Sequence, residues 1–383
     1  MKRKAMLLIF IILSTQLLTG CWDKMEINER GFPLIIGIDK LEGDEKENEL
    51  DRIKVSTRVP NVGLISGKSP LVTETSFYYE EKGSNLASII ERITSKAPFS
   101  ITLDHTKVIV FGKSLLEDCN LVREALDAIE RESSFSRKVL LLGAHEDASQ
   151  IVKIEPKEYP LIGMYLKGIL DLEMRDGRAV DGTLNRIMYQ IHEDGSSIWP
   201  YIKANKDNTG AELAGAYVLK DNKLMGSLDN REVSRFNSMI KGNKELGDVD
   251  IIYKGTLVSY EVYNTKQKLS VEEKNDNLIL NIELESEGDI VQHKIGIRGF
   301  TLDDEAIKEM EKMIEKKLMS RLESVVEKLQ KEYGVDVFGV KRYIRKFNPK
   351  LYKKIADDFD EYYSSMKVNI KIDAKIRRIG IVR

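Results

Sequence analysis

The chain has 383 residues, with 60 Lys and Arg against 62 Asp and Glu, and a formal net charge of −2 at pH 7. Hydrophobic residues make up 42% of the chain and charged residues 32%, which is the balance of an ordinary folded protein. Nucleic-acid binding usually needs a clustered basic surface, so the charge argues against a nucleic-acid partner. The same mild acidity argues against wide electrostatic contact with an anionic lipid surface.

A short hydrophobic leader opens the chain. Lys2, Arg3 and Lys4 precede an apolar run, 6–18, that is 13 residues long. A helix that crosses about 30 Å of hydrocarbon needs about 20 residues. Residues 1–20 are therefore predicted to be a secretory signal peptide rather than a membrane-spanning helix.

The leader ends in Leu18-Thr19-Gly20-Cys21, a sequence that resembles a bacterial lipobox. The resemblance implies that a signal peptidase recognises Leu18, Thr19 and Gly20 and cuts after Gly20. The thiol of Cys21 then carries a diacylglyceryl group, and two acyl chains supply the second membrane signal that one chain lacks. The alternative is an ordinary secreted protein with an accidental cysteine beside the cut. No other cofactor is predicted.

The only other cysteine is Cys119. If the sulfur of Cys21 is in a thioether, Cys119 has no partner within the chain and a structural disulfide is excluded. Cys119 is predicted to be a small buried hydrophobic residue rather than a reactive thiol. Without residues 1–20 the chain holds 57 basic and 62 acidic residues, and its hydrophobic cores alone must stabilise it.

Strands and helices alternate along the first half of the mature chain. Ile53 and Val55 alternate with charged or polar residues, as in a half-buried strand, and Leu86, Ile89 and Ile93 recur at helical spacing. The predicted strands are 34–40, 53–59, 71–79, 105–111, 139–144 and 198–202. The predicted helices are 84–95, 121–132, 147–151 (capped by Asp147), 159–172 and 184–191.

A polar segment, 206–210, is the predicted domain boundary. Strand 198–202 before it is predicted to lie at a sheet edge, because Pro200 has no amide hydrogen to donate. The boundary separates an N-terminal α+β region, 21–205, long enough for two subdomains, from a C-terminal α+β domain, 206–383.

The C-terminal domain is predicted to contain a hairpin, a helix, further strands and one long helix. Residues 303–333 place apolar side chains at steps of three or four, with Thr301 and Asp304 at capping-box spacing and Gly334 at the end. This stripe favours a helix laid across its own sheet over a coiled-coil seam. The other predicted elements are the hairpin 212–218 with 223–228, the helix 229–239 and the strands 251–269, 278–284 and 368–376. The fold class is α+β, multi-domain, with mostly antiparallel sheets and packed helices.

Motifs of enzymes and metal sites are not matched by this sequence. Residues 63–69 have one residue too few between the glycines for a phosphate-binding loop, and Pro70 follows where a helix would begin. The four histidines, His105, His145, His192 and His293, show no ligand spacing. No catalytic, cofactor-binding or metal-binding residue is predicted, and the protein is predicted not to be an enzyme.

The residues after Cys21 carry a family resemblance. They read W-D-x-x-E-I-N from Trp22 to Asn28, followed by G-I-D-K at 37–40, and this looks like the start of the Ger(x)C family. Weaker similarities follow in the same order along the chain: D-H-T-K-V-I-V at 104–110, an arginine-bracketed segment at 131–137, D-V-F-G at 336–339, F-N-P at 347–349 and a basic ending at 377–380. The family often has a tryptophan after the late proline, where this chain has Tyr352.

The resemblance implies a lipoprotein C subunit of a nutrient germinant receptor. Such a subunit is anchored to the inner spore membrane and faces outward, and its partners are the A and B membrane subunits. Its implied role is receptor assembly or signal coupling during germination, without catalysis. The leading alternative is a substrate-binding lipoprotein of a transporter, which would show a ligand cleft between the regions on either side of residue 206. The aromatic content of 7%, with two Trp, is low for such a cleft.

Overall fold

The computed structural model describes Arg3 and residues 29–61, 75–157, 159–242, 248–274, 277–293 and 303–379. Its strands are β1 (Arg30–Gly31), β2 (Ile35–Lys40), β3 (Ile53–Pro60), β4 (Ser76–Gly83), β5 (Ser100–Ile101), β6 (Val108–Phe111), β7 (Leu140–Ala144), β8 (Ser196–Ala204), β9 (Ala211–Lys220), β10 (Lys223–Leu228), β11 (Asp248–Tyr253), β12 (Thr256–Lys274), β13 (Asn277–His293) and β14 (Lys367–Ile379). The α+β fold class predicted from the sequence is confirmed.

The described helices lie between these strands and after them. They are α1 (Leu86–Lys96), α2 (Lys113–Leu116), α3 (Cys119–Arg131), α4 (Ala148–Val152), α5 (Ile162–Arg175), α6 (Leu184–Asp194), α7 (Asn230–Lys241), α8 (Asp304–Glu327), α9 (Val340–Phe347), α10 (Pro349–Ile355) and α11 (Phe359–Ser365). A π-helical turn, Lys328–Glu332, extends α8.

The larger sheet has eight strands in the order β10-β9-β8-β7-β6-β2-β3-β4. Its centre, from β2 through β6 and β7 to β8, is parallel, and the strands outside it pair antiparallel. Helices cover both faces. Ile109 and Phe111 of β6 belong to one hydrophobic core, whereas Val108 and Val110 belong to the core on the other face. This explains the unbroken apolar sequence of the central strands.

The smaller sheet has four strands in the order β11-β12-β13-β14, and only β13 and β14 are parallel. Its strands alternate buried and exposed residues, because the helices of the C-terminal region pack on one face. The predicted long helix lies on that face, as expected. Ile307 and Tyr333, at the ends of its apolar stripe, are half-buried, and the residues between them are fully buried in the core: Met310, Ile314, Leu318, Leu322, Val325 and Leu329.

The ends of α8 differ partly from the prediction. Asp303 is the N-cap, and its carboxylate accepts the amide of Ala306 at 2.8 Å. Thr301, which was predicted to cap the helix, lies outside the described residues. Gly334 follows the π-helical turn with a φ of +63°, a left-handed conformation that suits glycine and ends the helix.

Two strand predictions were wrong. His105 is in a short 3₁₀ turn, Leu103–His105, and β6 begins only at Val108. Strand β8 lies inside the sheet, between β7 and β9, and not at an edge. Pro200 is tolerated there because β7 pairs with β8 only at Tyr201 and Ile202, so Pro200 lies beyond that ladder.

The segment predicted as a domain boundary is the turn of a β-hairpin. Strands β8 and β9, on either side of it, are paired along their whole length, from Ser196 with Lys220 to Ala204 with Ala211. The eight-stranded sheet therefore includes residues up to Leu228. The division of the chain at residue 206 remains a prediction about domains, but the larger sheet crosses it.

Candidate functional site

The predicted lipid-attachment residue, Cys21, and the recognition residues Leu18, Thr19 and Gly20 lie outside the described residues, as does most of the motif after Cys21. Within the part of the chain that the structure describes, no helix is both long enough and apolar enough to cross a membrane.

Residues 30–33, near the start of the described chain, are bound to residues 99–106 by several contacts. Strand β1 pairs with β5, and the amide of Thr102 donates to the carbonyl of Gly31 at 2.8 Å. The ring of Phe32 meets that of His105 edge to face at 4.8 Å. The hydroxyl of Thr106 donates to the carbonyl of Pro33 at 3.0 Å. Phe32 and Pro33 are therefore held by the D-H-T segment that the sequence singled out, and Arg30 and Gly31 by the strand just before it.

Gly31 is required where β1 crosses an aromatic side chain. A Cβ on Gly31 would lie 2.2 Å from the ring of Phe99, so any side chain would force this contact apart. Phe99 itself packs against the rings of Phe77 and Tyr79. Strand β1 therefore packs closely on a cluster of aromatic side chains.

The G-I-D-K motif supplies a buried carboxylate that caps a distant helix. Asp39 is 1% exposed, and its carboxylate accepts the amides of Ala148 at 2.6 Å and Ser149 at 2.9 Å, in the first turn of α4. Burial raises the pKa of Asp39, and the two amides oppose that rise. Asp147, predicted as the cap of this helix, is at the N-cap position, but its side chain makes no capping bond.

Two neighbours of Asp39 complete this arrangement. A Cβ on Gly112 would lie 2.2 Å from the Asp39 carboxylate, so only glycine leaves room for it. Lys40 extends outward and pairs with Asp118 at 2.9 Å, and this hydrogen bond is the main reason why the pKa of Asp118 is lowered. Asp118 in turn caps α3. The motif therefore fixes helices against the carboxyl ends of the parallel strands.

The D-V-F-G motif performs the same task in the C-terminal region. The carboxylate of Asp336 accepts the amides of Gly339, Val340 and Lys341 at 2.9, 3.0 and 2.9 Å, at the start of α9. Gly339 has a φ of +76°, which favours glycine. Burial raises the pKa of Asp336. Its carbonyl accepts the hydroxyl of Ser196 at 2.6 Å, which links α9 to β8.

An ion pair beside this cap joins the two regions. Asp194 ends α6, its side chain is 4% exposed, and the guanidinium of Arg342 in α9 donates to it. The same guanidinium lies over the ring of Tyr189, 5.2 Å from its centroid. Burial raises the pKa of Asp194 to about 6 even though Arg342 opposes the rise.

A cleft of about 710 Å³ opens next to this ion pair, between α6 on one side and α9 and β12 on the other. Aromatic and basic side chains line it, including Tyr189, Phe338 and Tyr343 with Arg342 and Lys346. Another basic residue of the lining, Arg345, is paired with Glu193. The cleft is therefore part of the junction between the two regions.

The remaining residues that the sequence singled out are dispersed. Among the described residues, no group of three or more His, Cys, Asp or Glu side chains could hold a metal ion. His145 stacks on Tyr201, and His192 lies 3.4 Å from Glu130. Cys119 is a free thiol at the start of α3 and is half-buried rather than buried as predicted. Residues 63–69 and the side chain of His293 lie outside the described part of the chain.

Sequence reasoning found the motifs but not what their carboxylates do. The helix caps formed by Asp39 and Asp336 could be anticipated only in part, since an Asp three residues before the Gly that starts a helix is a local signal for Asp336 alone. Asp194 and Arg342 carry no local signal, because 148 residues separate them in the chain.

Two protein-family models match this chain, one in each half. A model described as the N-terminal domain of spore germination proteins matches residues 23–204. A second, described as Spore germination B3/GerAC like, C-terminal, matches residues 214–380. The two models together therefore account for most of the chain.

Individual relatives match from end to end. Spore germination protein YndF of Bacillus subtilis (strain 168) is 24% identical over 100% of this chain and 98% of its own length. Spore germination protein B3 of the same organism is 25% identical over 99% and 98%. The crystal structure of the GerBC protein shares the fold, with a TM-score of 0.57 at 20% identity over 89% of this chain and 97% of that chain. The chain belongs to the Ger(x)C family of spore germination proteins, which confirms the resemblance seen after Cys21.

Proposed function

We propose that this protein is the lipid-anchored C subunit of a nutrient germinant receptor. Cys21 carries the lipid and holds the chain on the outward face of the inner spore membrane. There the protein acts in receptor assembly or signal coupling with the A and B membrane subunits, and it performs no catalysis. Relatives named spore germination proteins A3, B3 and KC support the assignment to a receptor.

The attachment of residues 30–33 to the body is the observation that carries this proposal. Arg30 is nine residues after Cys21 in the sequence, so the segment that connects them, the tether, spans at most about 30 Å. Strand β1, Phe32 and Pro33 are fixed against residues 99–106. The folded part of the chain can therefore move relative to the membrane only as far as the tether before Arg30 allows. A body fixed in this way presents one defined edge to the membrane and to membrane-embedded partners, and the tether raises its local concentration there.

The state of the buried carboxylates supports a non-catalytic role. Asp39 and Asp336 are the buried carboxylates of the family-like motifs, and each accepts hydrogen bonds from two or three backbone amides of its own chain. A general base or a ligand-binding group has to reach a substrate. These carboxylates hold helices instead.

Purification from spore membranes tests the proposal. A C-terminally tagged wild-type chain, extracted in detergent, is expected to bring down two polytopic membrane proteins. Cys21→Ala is expected to lose them, because the chain leaves the membrane. Gly31→Leu is expected to stay on the membrane but to recover less of both proteins, because the side chain displaces Phe99 and releases β1. Gly168→Ala is the matched control, since no atom lies within 4 Å of a Cβ at that position.

The cleft between the two regions favours a second candidate, the substrate-binding lipoprotein of a transporter. In that case the wild-type chain would remain on the membrane but come down alone or with an ATP-driven transporter. That result would overturn the receptor proposal. A screen of small molecules against the cleft, read by thermal shift, would then be the next measurement.

A further inference from the structure

The charge of the chain is unevenly distributed. Helices α9 and α10 and the turn between them, residues 340–355, contain seven basic residues and no acidic one. The rest of the chain holds 53 basic and 62 acidic residues, so this helical hairpin is a basic segment in an acidic protein. The small negative charge of the whole chain, which argued against contact with an anionic surface, does not reflect the positive charge of this segment. The basic residues are Lys341, Arg342, Arg345, Lys346, Lys350, Lys353 and Lys354.

Four of these charges have no carboxylate partner among the described residues. Arg342, Arg345 and Lys354 are paired with Asp194, Glu193 and Glu273. The remaining four are lysines, and two of them lie over aromatic rings instead: Lys341 over Phe359 and Lys346 over Phe347. The four unpaired lysines are Lys341, Lys346, Lys350 and Lys353.

The turn between the two helices is exposed on the surface of the protein. Residues 345–350 are all exposed, whereas Ile344, Leu351 and Ile355 are buried and hold the hairpin on the C-terminal core. Phe347, at the tip, is 62% exposed, and its ring contacts that of Tyr343 at a centroid distance of 4.7 Å and lies under Lys346. An exposed aromatic ring flanked by unpaired lysines is the chemistry of a membrane-surface contact, in which the ring enters the headgroup layer and the lysines meet anionic lipids.

The topology places this hairpin at the same edge of the molecule as the tether. Strands β2, β6, β7 and β8 are parallel, so their first residues lie along one edge of the larger sheet. The tether enters just before β2. Asp194 lies just before β8, where it holds Arg342 of α9. Three strand spacings separate β2 from β8, or about 14 Å. That is less than the reach of the tether, about 30 Å.

We propose that the hairpin 340–355 is a docking surface for anionic phospholipid headgroups in the membrane that carries the lipid anchor. The orientation relative to that membrane rests on the proposed function, whereas headgroup binding by the hairpin does not. An acidic protein segment is the other partner that the charge would suit. It would need the neighbouring cleft, but only one of the four unpaired lysines, Lys346, lines that cleft. The other three suit a broad, flat, anionic surface.

Sedimentation with lipid vesicles tests the surface directly. The chain without residues 1–20 and with Cys21→Ala, so that no lipid contributes, is mixed with phosphatidylcholine vesicles with or without phosphatidylglycerol at about 30 mol %. We expect binding only to the anionic vesicles, and weaker binding at high salt. Lys346→Glu/Lys350→Glu is expected to weaken it by about tenfold or more, since each cation near such a surface contributes about 1 kcal/mol. Phe347→Ala is expected to weaken it about fivefold.

The matched control is Lys312→Glu/Lys316→Glu, which makes the same charge change at exposed positions on α8. It is expected to bind anionic vesicles like the unaltered chain. Absence of binding to anionic vesicles, equal binding to neutral ones, or equal losses in the control and in the hairpin variant would each overturn the proposal. None of these results would affect the purification of receptor subunits through Cys21, so this proposal can fail while the proposed function stands.

Discussion

The two sheets of this protein are covered in different ways, and the difference governs how each tolerates change. Helices pack on both faces of the eight-stranded sheet, so that every residue of β6 and β7 is buried. In the part of the chain that the structure describes, helices pack on one face of the four-stranded sheet, and β14 alternates buried or half-buried residues with exposed ones. A substitution in the first sheet disturbs a core wherever it falls, whereas in the second its effect depends on the face.

The contrast extends to the exposed face of the smaller sheet. Ile252 and Leu257 are directly paired across β11 and β12, and they are 60% and 43% exposed. An antiparallel sheet can leave one face in water, but a parallel centre like that of the larger sheet rarely can. The smaller sheet and its helices join the larger sheet through the start of α9, where Asp336 contacts Ser196 of β8 and Arg342 contacts Asp194 of α6.

Alanine substitutions along one strand of each sheet are expected to show the largest effects. Leu141→Ala and Leu142→Ala, on opposite faces of β7, should each lower the free energy of unfolding by about 2–5 kcal/mol, because each leaves a cavity in a packed core. In β13, Ile282→Ala should cost a similar amount, but its neighbour Glu283→Ala less than about 0.5 kcal/mol. Urea unfolding followed by circular dichroism measures all four. If either Leu141→Ala or Leu142→Ala left the free energy of unfolding unchanged, the larger sheet would not be packed on both faces as described.

The helix cap at Asp39 is expected to show the next largest effect. Asp39→Ala leaves the amides of Ala148 and Ser149 without their acceptor inside the protein, at a cost of about 2–4 kcal/mol. Asp39→Asn keeps one acceptor oxygen and should cost less. Asp147→Ala is the control, because its side chain makes no capping bond, and it should change the free energy of unfolding by less than about 0.5 kcal/mol. If urea unfolding showed that Asp39→Ala and Asp147→Ala lower the free energy of unfolding equally, Asp39 would not be the residue that caps α4.

The junction between the two sheets is expected to depend on pH. The pKa of Asp194 is raised to about 6 in the folded protein, above its usual value of 3.8. Its contribution to stability is therefore fully present below pH 3.8 and is lost as the pH rises through about 6. Asp194→Asn removes that dependence. The difference in free energy of unfolding between the variant and the wild type should therefore change by at most about 3 kcal/mol between pH 4 and 7. Urea titrations at several pH values measure it.

The matched control for this pH dependence is Asp104→Asn, since Asp104 is exposed. Its free energy of unfolding should follow that of the wild type across the pH range. If Asp194→Asn ran parallel to the wild type as well, the raised pKa of Asp194 would be ruled out as a source of the dependence.

The smallest expected effect is at a single hydroxyl that joins the end of the long helix to β10 of the larger sheet. Tyr333 follows the π-helical turn, and its hydroxyl donates to the carbonyl of Ser227 at 2.9 Å and accepts the amide of Ser227 at 3.2 Å. Tyr333→Phe should lower the free energy of unfolding by about 1–2 kcal/mol. Tyr352→Phe, in α10, is a control with the same atomic change. Indistinguishable melting temperatures for the two variants would show that this contact does not stabilise the junction.

The sequence predicted the elements well where their signals are local. The stripe of α8 repeats every three or four residues, so both the helix and its buried face could be read from the chain. The hairpin of β9 and β10 was equally clear, because Asp221 and Asn222 between the two strands are residues that tolerate a positive φ, and both adopt one. Their neighbours in the chain sufficed for these predictions.

Prediction was weaker where a remote partner decides the outcome. Pro200 indicated an edge strand, but the sheet places β8 inside and lets the β7 ladder begin only at Tyr201. Asp147 occupied the expected cap position, but Asp39, more than 100 residues away, supplies the carboxylate. Local rules name a residue that could act, whereas packing decides which residue does.

The sequence by itself determined the family and most helices and strands, and it predicted the leader and the lipid attachment at Cys21, since each of these signals lies in adjacent residues or in a short period. Only the tertiary structure decided that the larger sheet crosses residue 206 and that Asp39 and Asp336 cap helices. It alone brought the basic hairpin 340–355 to the edge of the larger sheet where β2 begins. The reason is physical: sheet order, buried ion pairs and shared edges depend on residues as far apart as Asp194 and Arg342, which no local pattern connects.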